Sequence, residues 1–241
     1  MQESSLDYVL NFQRHEWKYF LPTRTIQALI PEIMMFMDMD AYSKKNGFYD
    51  LYSVYYDTED WQSFYEKIDG IERRKKFRIR SYKKDVSPED EVFLEVKEKN
   101  KDIILKRRRP IKMRDVNKLN SGSLVSDDSV LEEWRYNIVR NAIKPRIMIG
   151  YKRMAFVPRD NVNLRITIDT EVGYSMLNHR RVDFSDFARK TYFSREFSVL
   201  EIKYSGPVPK FVEDLIRRHN LRNEAISKFS DSVMSFYKVI T

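Results

Sequence analysis

Cysteine is absent from the 241 residues, which excludes disulfides and thiolate metal sites and is compatible with an intracellular location. Histidine is scarce. His15, His179 and His219 are too few for a His-built zinc centre, and His15 and His179, which sit in no ligand pattern, are read as structural. Uninterrupted apolar runs stay short of the roughly 18 residues that span a bilayer. The opening Met1-Gln2-Glu3-Ser4-Ser5-Leu6-Asp7 lacks the basic and apolar regions of a signal peptide. Internal repeats, low-complexity tracts and dividing linkers are missing as well. These absences predict a soluble, cytoplasmic chain folded as a single domain over residues 1–241.

What the chain has in quantity is charge and aromatic surface. Lys plus Arg number 44 against 36 Asp plus Glu, and the net charge of +8 favours an anionic partner. Hydrophobic residues make up 42%, with 15 Tyr and 15 Phe, enough for a sizeable core.

The charges follow a period of two. In the basic run 73–82, Arg78 and Arg80 point to one face of an extended strand while Phe77 and Ile79 point to the other. Glu95 and Lys97 alternate with Leu94 and Val96; Arg165, Thr167 and Asp169 with Leu164, Ile166 and Ile168. Glu201/Lys203 and Glu16/Lys18 repeat the arrangement. A single strand of this kind ordinarily turns its charges to water, but five of them can converge on a charged interior. Buried charges of one sign need counter-charge or water, so a cation excess over Glu16, Glu95, Asp169 and Glu201 calls for a bound polyanion.

Along the chain, strands are expected at 12–20, 51–57, 74–84, 91–98, 103–109, 146–157, 163–172 and 197–204. Pro110 is expected to interrupt the fifth of these. Thr23 or Thr25 is the expected cap of a helix carrying Ile26, Leu29, Ile30, Ile33, Met34 and Met37 as core. Further helices are expected at 61–67, within 113–142, at 210–219 and at 226–239, and Tyr55, Tyr56 and the other aromatics are assigned to the core.

Glu16-Trp17-Lys18, Arg78-Ile79-Arg80, Leu94-Glu95-Val96-Lys97, Tyr151-Lys152-Arg153, the run 165–171, Leu200-Glu201-Ile202-Lys203 and Ser227-Lys228-Phe229 occur in one order over residues 12–238. In this the chain resembles the VTC domains, the polyphosphate polymerase domains of the vacuolar transporter chaperone type, within the triphosphate tunnel metalloenzyme superfamily. The resemblance implies an α+β fold, an antiparallel β-barrel tunnel of about eight strands braced by helices. It implies transfer of the γ-phosphate of ATP to inorganic polyphosphate with Mn2+ or Mg2+. No SPX module and no membrane segment are seen, so inositol-phosphate sensing and coupled translocation are not expected.

On that resemblance Arg78, Arg80, Arg153, Arg165 and Lys97 are the catalytic candidates. Lys18, Lys106, Lys203 and Lys228 are the substrate-binding ones, Lys106 being favoured over Arg107, Arg108 and Arg109 for one position, which otherwise form a solvated basic edge. Glu201, with Glu16 or Glu95, is the candidate metal ligand. Two other readings stay open, a metal-dependent inorganic or nucleoside triphosphatase and a non-catalytic polyphosphate-binding module. Nucleic acid is not the expected partner, because the aromatics alternate away from the basic face.

Overall fold

The computed structural model describes residues 14–101, 103–160, 163–177, 181–187, 190–191 and 196–240; His179 and the N-terminal stretch read above lie outside them. Strand β1 (Arg14–Pro22) leads into helix α1 (Thr23–Phe36), followed by β2 (Met37–Met39), α2 (Ala41–Asn46), β3 (Tyr49–Asp57) and α3 (Gln62–Ile68). Then come β4 (Arg73–Ser81), β5 (Glu91–Asn100), β6 (Ile103–Lys112), α4 (Val116–Asn120) and α5 (Ser129–Arg140). The remainder holds β7 (Lys144–Pro158), β8 (Leu164–Met176), β9 (Lys190–Thr191), β10 (Phe197–Ser205), α6 (Lys210–Arg218) and α7 (Lys228–Ile240).

The strands form one antiparallel sheet with the path β1-β10-β8-β7-β3-β4-β5-β6; β2 and β9 pair outside that path, with β7 and β8. In a flat sheet β1 and β5 would lie about 29 Å apart, at ~4.8 Å per strand. Yet Lys97 Nζ on β5 reaches Glu16 Oε2 on β1 at 3.4 Å. The sheet therefore curls until side chains from one edge strand, β1, and from β5, next to the other edge, meet across a hollow. Among the described residues no backbone ladder joins β1 to β6, so side chains rather than hydrogen-bonded strands bridge the seam.

Apolar residues face outward, toward helices. Tyr19, Leu21, Ile166, Ile168, Leu200 and Ile202 pack with Ile26, Leu29 and Ile33 of α1 and Val212 and Leu215 of α6. On the other flank Phe77, Ile79, Leu94, Val96, Val54 and Tyr56 pack under α4 and α5, where Trp134 meets Tyr56 and Phe77 edge-on at 4.9 and 5.3 Å. Burying both flanks leaves the inner face to the charged alternates of the same strands.

A third cluster fills one end of the hollow. Leu51, Ile147, Ile149, Tyr151, Val172 and Tyr174 meet Phe229 and Val233 of α7, with Trp61 and Phe64 alongside. A β-bulge makes this possible: Lys152 pairs Thr170 but Gly150 pairs Gly173, and Glu171 takes φ 51°. The extra residue shifts the alternation, so Val172 and Tyr174 turn inward where Glu171 would otherwise follow Asp169. Gly150 lies so close to Phe187 that a Cβ there would stand 2.7 Å from its ring.

Several local expectations need correction. Pro110 does not interrupt β6, which runs on to Lys112 with Pro110 opposite Phe93. An edge strand has one unpaired side, where a missing N–H costs nothing. Neither threonine caps α1: Thr23 is its first residue, Pro22 precedes it, and no side chain caps that end. Met34 is 43% exposed rather than core. Strand β2 and helix α2, too short to show a period, were not anticipated.

Candidate functional site

The basic face of β4 points into the hollow. Arg78 donates from Nε to Glu95 Oε2 at 2.7 Å and from Nη1 to the Tyr55 hydroxyl at 2.8 Å. Arg80, only 6% exposed, donates to Ser53 Oγ at 3.2 Å and to the Tyr151 hydroxyl at 3.4 Å. Lys106 on the neighbouring edge strand lies 2.7 Å from Glu95 Oε1, and Arg108 lies 3.6 Å from it. Burial favours protonation of Glu95, but Arg78, Arg80 and Lys106 outweigh it and hold the carboxyl far below the usual carboxylate range.

Opposite lies a second cluster. Arg153 forks onto Asp169 with bonds of 2.6 and 2.7 Å, and Lys228 approaches the same carboxylate at 2.6 Å. Burial works against the charge of Asp169, and Arg153 and Lys228 overcome it, so its pKa is lowered. Lys228 is delivered by a crossing of the chain: Glu224 N–H donates to Lys18 O, Lys18 Nζ donates to Ile226 O at 3.1 Å, and Ser227 then opens α7, its N–H donating to Asp231 Oδ2. Helix α7 thus both fills one end and plants a cation at the middle.

Glu201 on β10 lies 3.2 Å from Lys203, 3.8 Å from Lys18 and 3.8 Å from Arg153, and Glu16 is within hydrogen-bond reach of it. Despite burial, Lys203, the hydrogen bond with Glu16, and Lys18 and Lys228 keep Glu201 ionised well below its ordinary value. Thr167, which pairs Glu201 in the ladder, has a buried hydroxyl without a hydrogen-bond partner. Arg165 sits at the open end, 2.8 Å from Asp40, whose other oxygen caps α2 through Ser43 N–H.

All the candidate cations from the sequence, Lys18, Arg78, Arg80, Lys97, Lys106, Arg153, Arg165, Lys203 and Lys228, are thus on or beside the inner face. The alternation in β6 separates the four competing residues: Lys106 and Arg108 turn inward, whereas Arg107 pairs with Glu98 and Glu133, and Arg109 with Asp128, on the outside. The three acidic candidates divide as well. Glu16 and Glu201 are neighbours, while Glu95 is occupied by the cations of β4 and β6.

Sequence reasoning missed several lining residues. Tyr55, assigned to the core, is a tunnel residue bonded to Arg78, and Tyr49, Tyr151 and Phe93 also sit on the inner face, so the aromatics do not all alternate away from the basic side. Lys76 was legible as the next alternate before Arg78. It is half-buried at the filled end, 4.6 Å over the Phe229 ring and 3.5 Å from Ser230 Oγ. Burial first, then the charges of Arg74, Lys67, Lys97 and Lys18, bring its pKa down to about 7.

Cations outnumber carboxylates along this lining, and their exposure is graded. Lys97, Lys106, Arg165 and Lys203 keep 42–45% of their side chains open, while Arg78, Arg80, Arg153 and Lys228 keep 21% or less. The more exposed cations lie where solvent reaches, and the hydrogen-bonded Arg78, Arg80 and Arg153 lie deeper with Lys228.

A curled antiparallel sheet with this inward basic lining is a fold of the triphosphate tunnel type. The chain belongs to the VTC domain family, whose model matches residues 13–237. It is 23% identical over 266 residues to vacuolar transporter chaperone complex subunit 4 of Schizosaccharomyces pombe, covering 91% of this chain and 36% of that protein. The chain therefore spans about a third of the curated relative's length. A candidate adenylate cyclase from Bacillus halodurans shares the fold, with TM-score 0.53 and 11% identity over 89% of this chain and 95% of that one. The Mimivirus capping enzyme triphosphatase matches at TM-score 0.39 and 9% identity, over 87% of this chain and 90% of that one.

Proposed function

We propose that the protein is a polyphosphate polymerase that transfers the γ-phosphate of ATP to the end of an inorganic polyphosphate chain within the basic hollow. The observation that carries this reading is the convergence of Arg78, Arg80, Arg153 and Lys228 on carboxylates too few to neutralise the lining. Membership of the VTC family supports it.

In this mechanism the carboxylates act as place-holders. Glu95 and Asp169 keep the guanidinium groups extended and oriented, and incoming phosphate oxygens take up the donors that remain. Arg78 and Arg80 on one wall and Arg153 and Arg165 on the other bind the triphosphate; Lys18, Lys97, Lys106, Lys203 and Lys228 spread positive charge along the path of the polymer. Phosphoryl transfer then requires in-line placement and charge neutralisation. A terminal oxygen of polyphosphate forms a bond to the γ-phosphorus, the bond from that phosphorus to the bridging oxygen breaks, and ADP leaves with the electron pair. The acceptor is already an oxyanion, so no strong base is needed.

Among the described residues no group of three His, Cys, Asp or Glu is placed to hold a metal. Mg2+ and Mn2+ do not require one, because one or two carboxylates suffice when phosphates complete the shell. Glu201, with Glu16 beside it and the unpartnered Thr167 hydroxyl in register, offers an all-oxygen donor set that fits such an ion. When bound there, the ion would neutralise negative charge on the phosphates. Glu95, committed to four cations, is better suited to positioning Arg78 and Arg80 than to metal binding.

The test is incubation of the purified protein with ATP, Mn2+ and a short polyphosphate primer, followed by gel electrophoresis. A ladder extending upward from the primer supports the reading. Primer of unchanged length with ATP consumed identifies a triphosphatase, and unchanged primer with unchanged ATP a binding module.

A further inference from the structure

The open end of the hollow carries a feature that phosphate chemistry does not need. Tyr42 on α2 and Tyr82, just past β4, are 71% and 38% exposed, with ring centroids 6.3 Å apart and planes only 10° from parallel. Tyr49 lies 5.8 and 6.2 Å from these two rings, and Phe93 meets Tyr82 edge-on at 5.8 Å. Arg108 links the group to the basic lining, its guanidinium 3.6 Å over the Phe93 ring and its Nη2 donating to the Tyr82 hydroxyl at 3.2 Å. The Tyr49 hydroxyl is a hydrogen-bond partner of Arg165. A cavity of about 390 Å³ opens beside two of these rings, Tyr82 and Phe93, with Ser81, Lys83, Asp90 and Lys112 also in its lining.

An inorganic phosphate chain has no face to stack, so exposed rings at this mouth contribute nothing to holding it. A nucleotide differs: its phosphates enter the channel while its planar base must rest outside. Solvent-exposed tyrosines at ordinary stacking distances supply flat surfaces for such a ring, and Ser81, Lys83 and Asp90 at the cavity wall supply polar groups for its edge. We propose that Tyr42, Tyr82 and Phe93 form a nucleobase subsite that stacks the base of a nucleoside triphosphate whose phosphates run inward past Arg108 and Arg80. This deepens the reading above, on which it rests, by giving the donor's base a place in the site.

The subsite is tested by calorimetric binding of ATP and of inorganic tripolyphosphate, each in EDTA so that neither is turned over. Wild type, a Tyr42→Ala/Tyr82→Ala double variant and Tyr82→Phe are compared. Stacking predicts that the double variant binds ATP about tenfold more weakly, with tripolyphosphate affinity unchanged. Tyr82→Phe, which keeps the ring but loses the hydroxyl, should bind ATP as wild type does. Unchanged ATP affinity in the double variant overturns the subsite while leaving the tunnel reading in place, because tripolyphosphate still binds. Equal weakening of both ligands also overturns it, since the rings would then act through the phosphate channel. If wild type binds neither ligand, the tunnel reading fails and the subsite fails with it.

Discussion

Each carboxylate in the hollow holds more than one partner, and that sharing lets individual arginines be removed. Without Arg80, Glu95 still has Arg78, Lys106 and Arg108 within reach; without Arg165, Asp40 still caps α2. Arg80→Ala and Arg165→Ala should therefore fold, with thermal unfolding close to wild type, yet lose roughly 10²-fold or more in turnover, the usual cost of a donor aimed at developing charge. Full activity in both would contradict their assignment. Lys76 makes a pH prediction. Its lowered pKa, about 7, means that it is largely neutral at pH 8.5 in the free protein, and a nearby polyanion draws a proton back onto it. Tripolyphosphate binding at pH 8 should take up protons, seen as a calorimetric enthalpy that varies with the ionisation enthalpy of the buffer, and Lys76→Met should reduce that uptake. At this scale the spacing of two made most of the lining legible. It did not reveal Asp40 or Tyr55, because Asp40 reaches the hollow from a short helix, and a tyrosine on a tunnel wall has the same sequence pattern as one in a core.

The elements divide the hollow into a charged part and an apolar part. The bulge at Glu171 turns Val172 and Tyr174 inward, and α7 lays Phe229 and Val233 against them. Phe229 is 3% exposed, stacks on Tyr55 at 5.0 Å and underlies Lys76. Truncation to alanine should cost roughly 3–5 kcal/mol in urea unfolding. It should also impair phosphate binding beyond what stability explains, because it removes the ring that packs against both Tyr55 and Lys76. Binding equal to wild type at a temperature where the variant remains folded would show that α7 only supports the fold. Long strands and amphipathic helices were readable because their periods repeat over many residues. The bulge was not, since one inserted residue leaves no compositional mark, nor was the passage of β6 through Pro110, which depends on that strand lying at an edge.

For the whole molecule, the decisive property is that the sheet curls around its own charges. Two outer flanks buried under α1 with α6 and under α4 with α5 force the alternate side chains inward, and the curl brings β5 to β1. The order of charged motifs along the chain made this architecture readable as a family resemblance. The curl itself follows from contacts between residues as far apart as Glu16 and Lys97, which no local pattern encodes. A polyanion bound in such a hollow can either be extended or be cleaved, and the fate of one phosphorus atom separates the two. With ATP radiolabelled at the γ-phosphate, Mn2+ and a polyphosphate primer, the label should appear in polymer longer than the primer, and Arg80→Ala should abolish that incorporation. Label recovered only as free phosphate, or left in ATP, would contradict the polymerase.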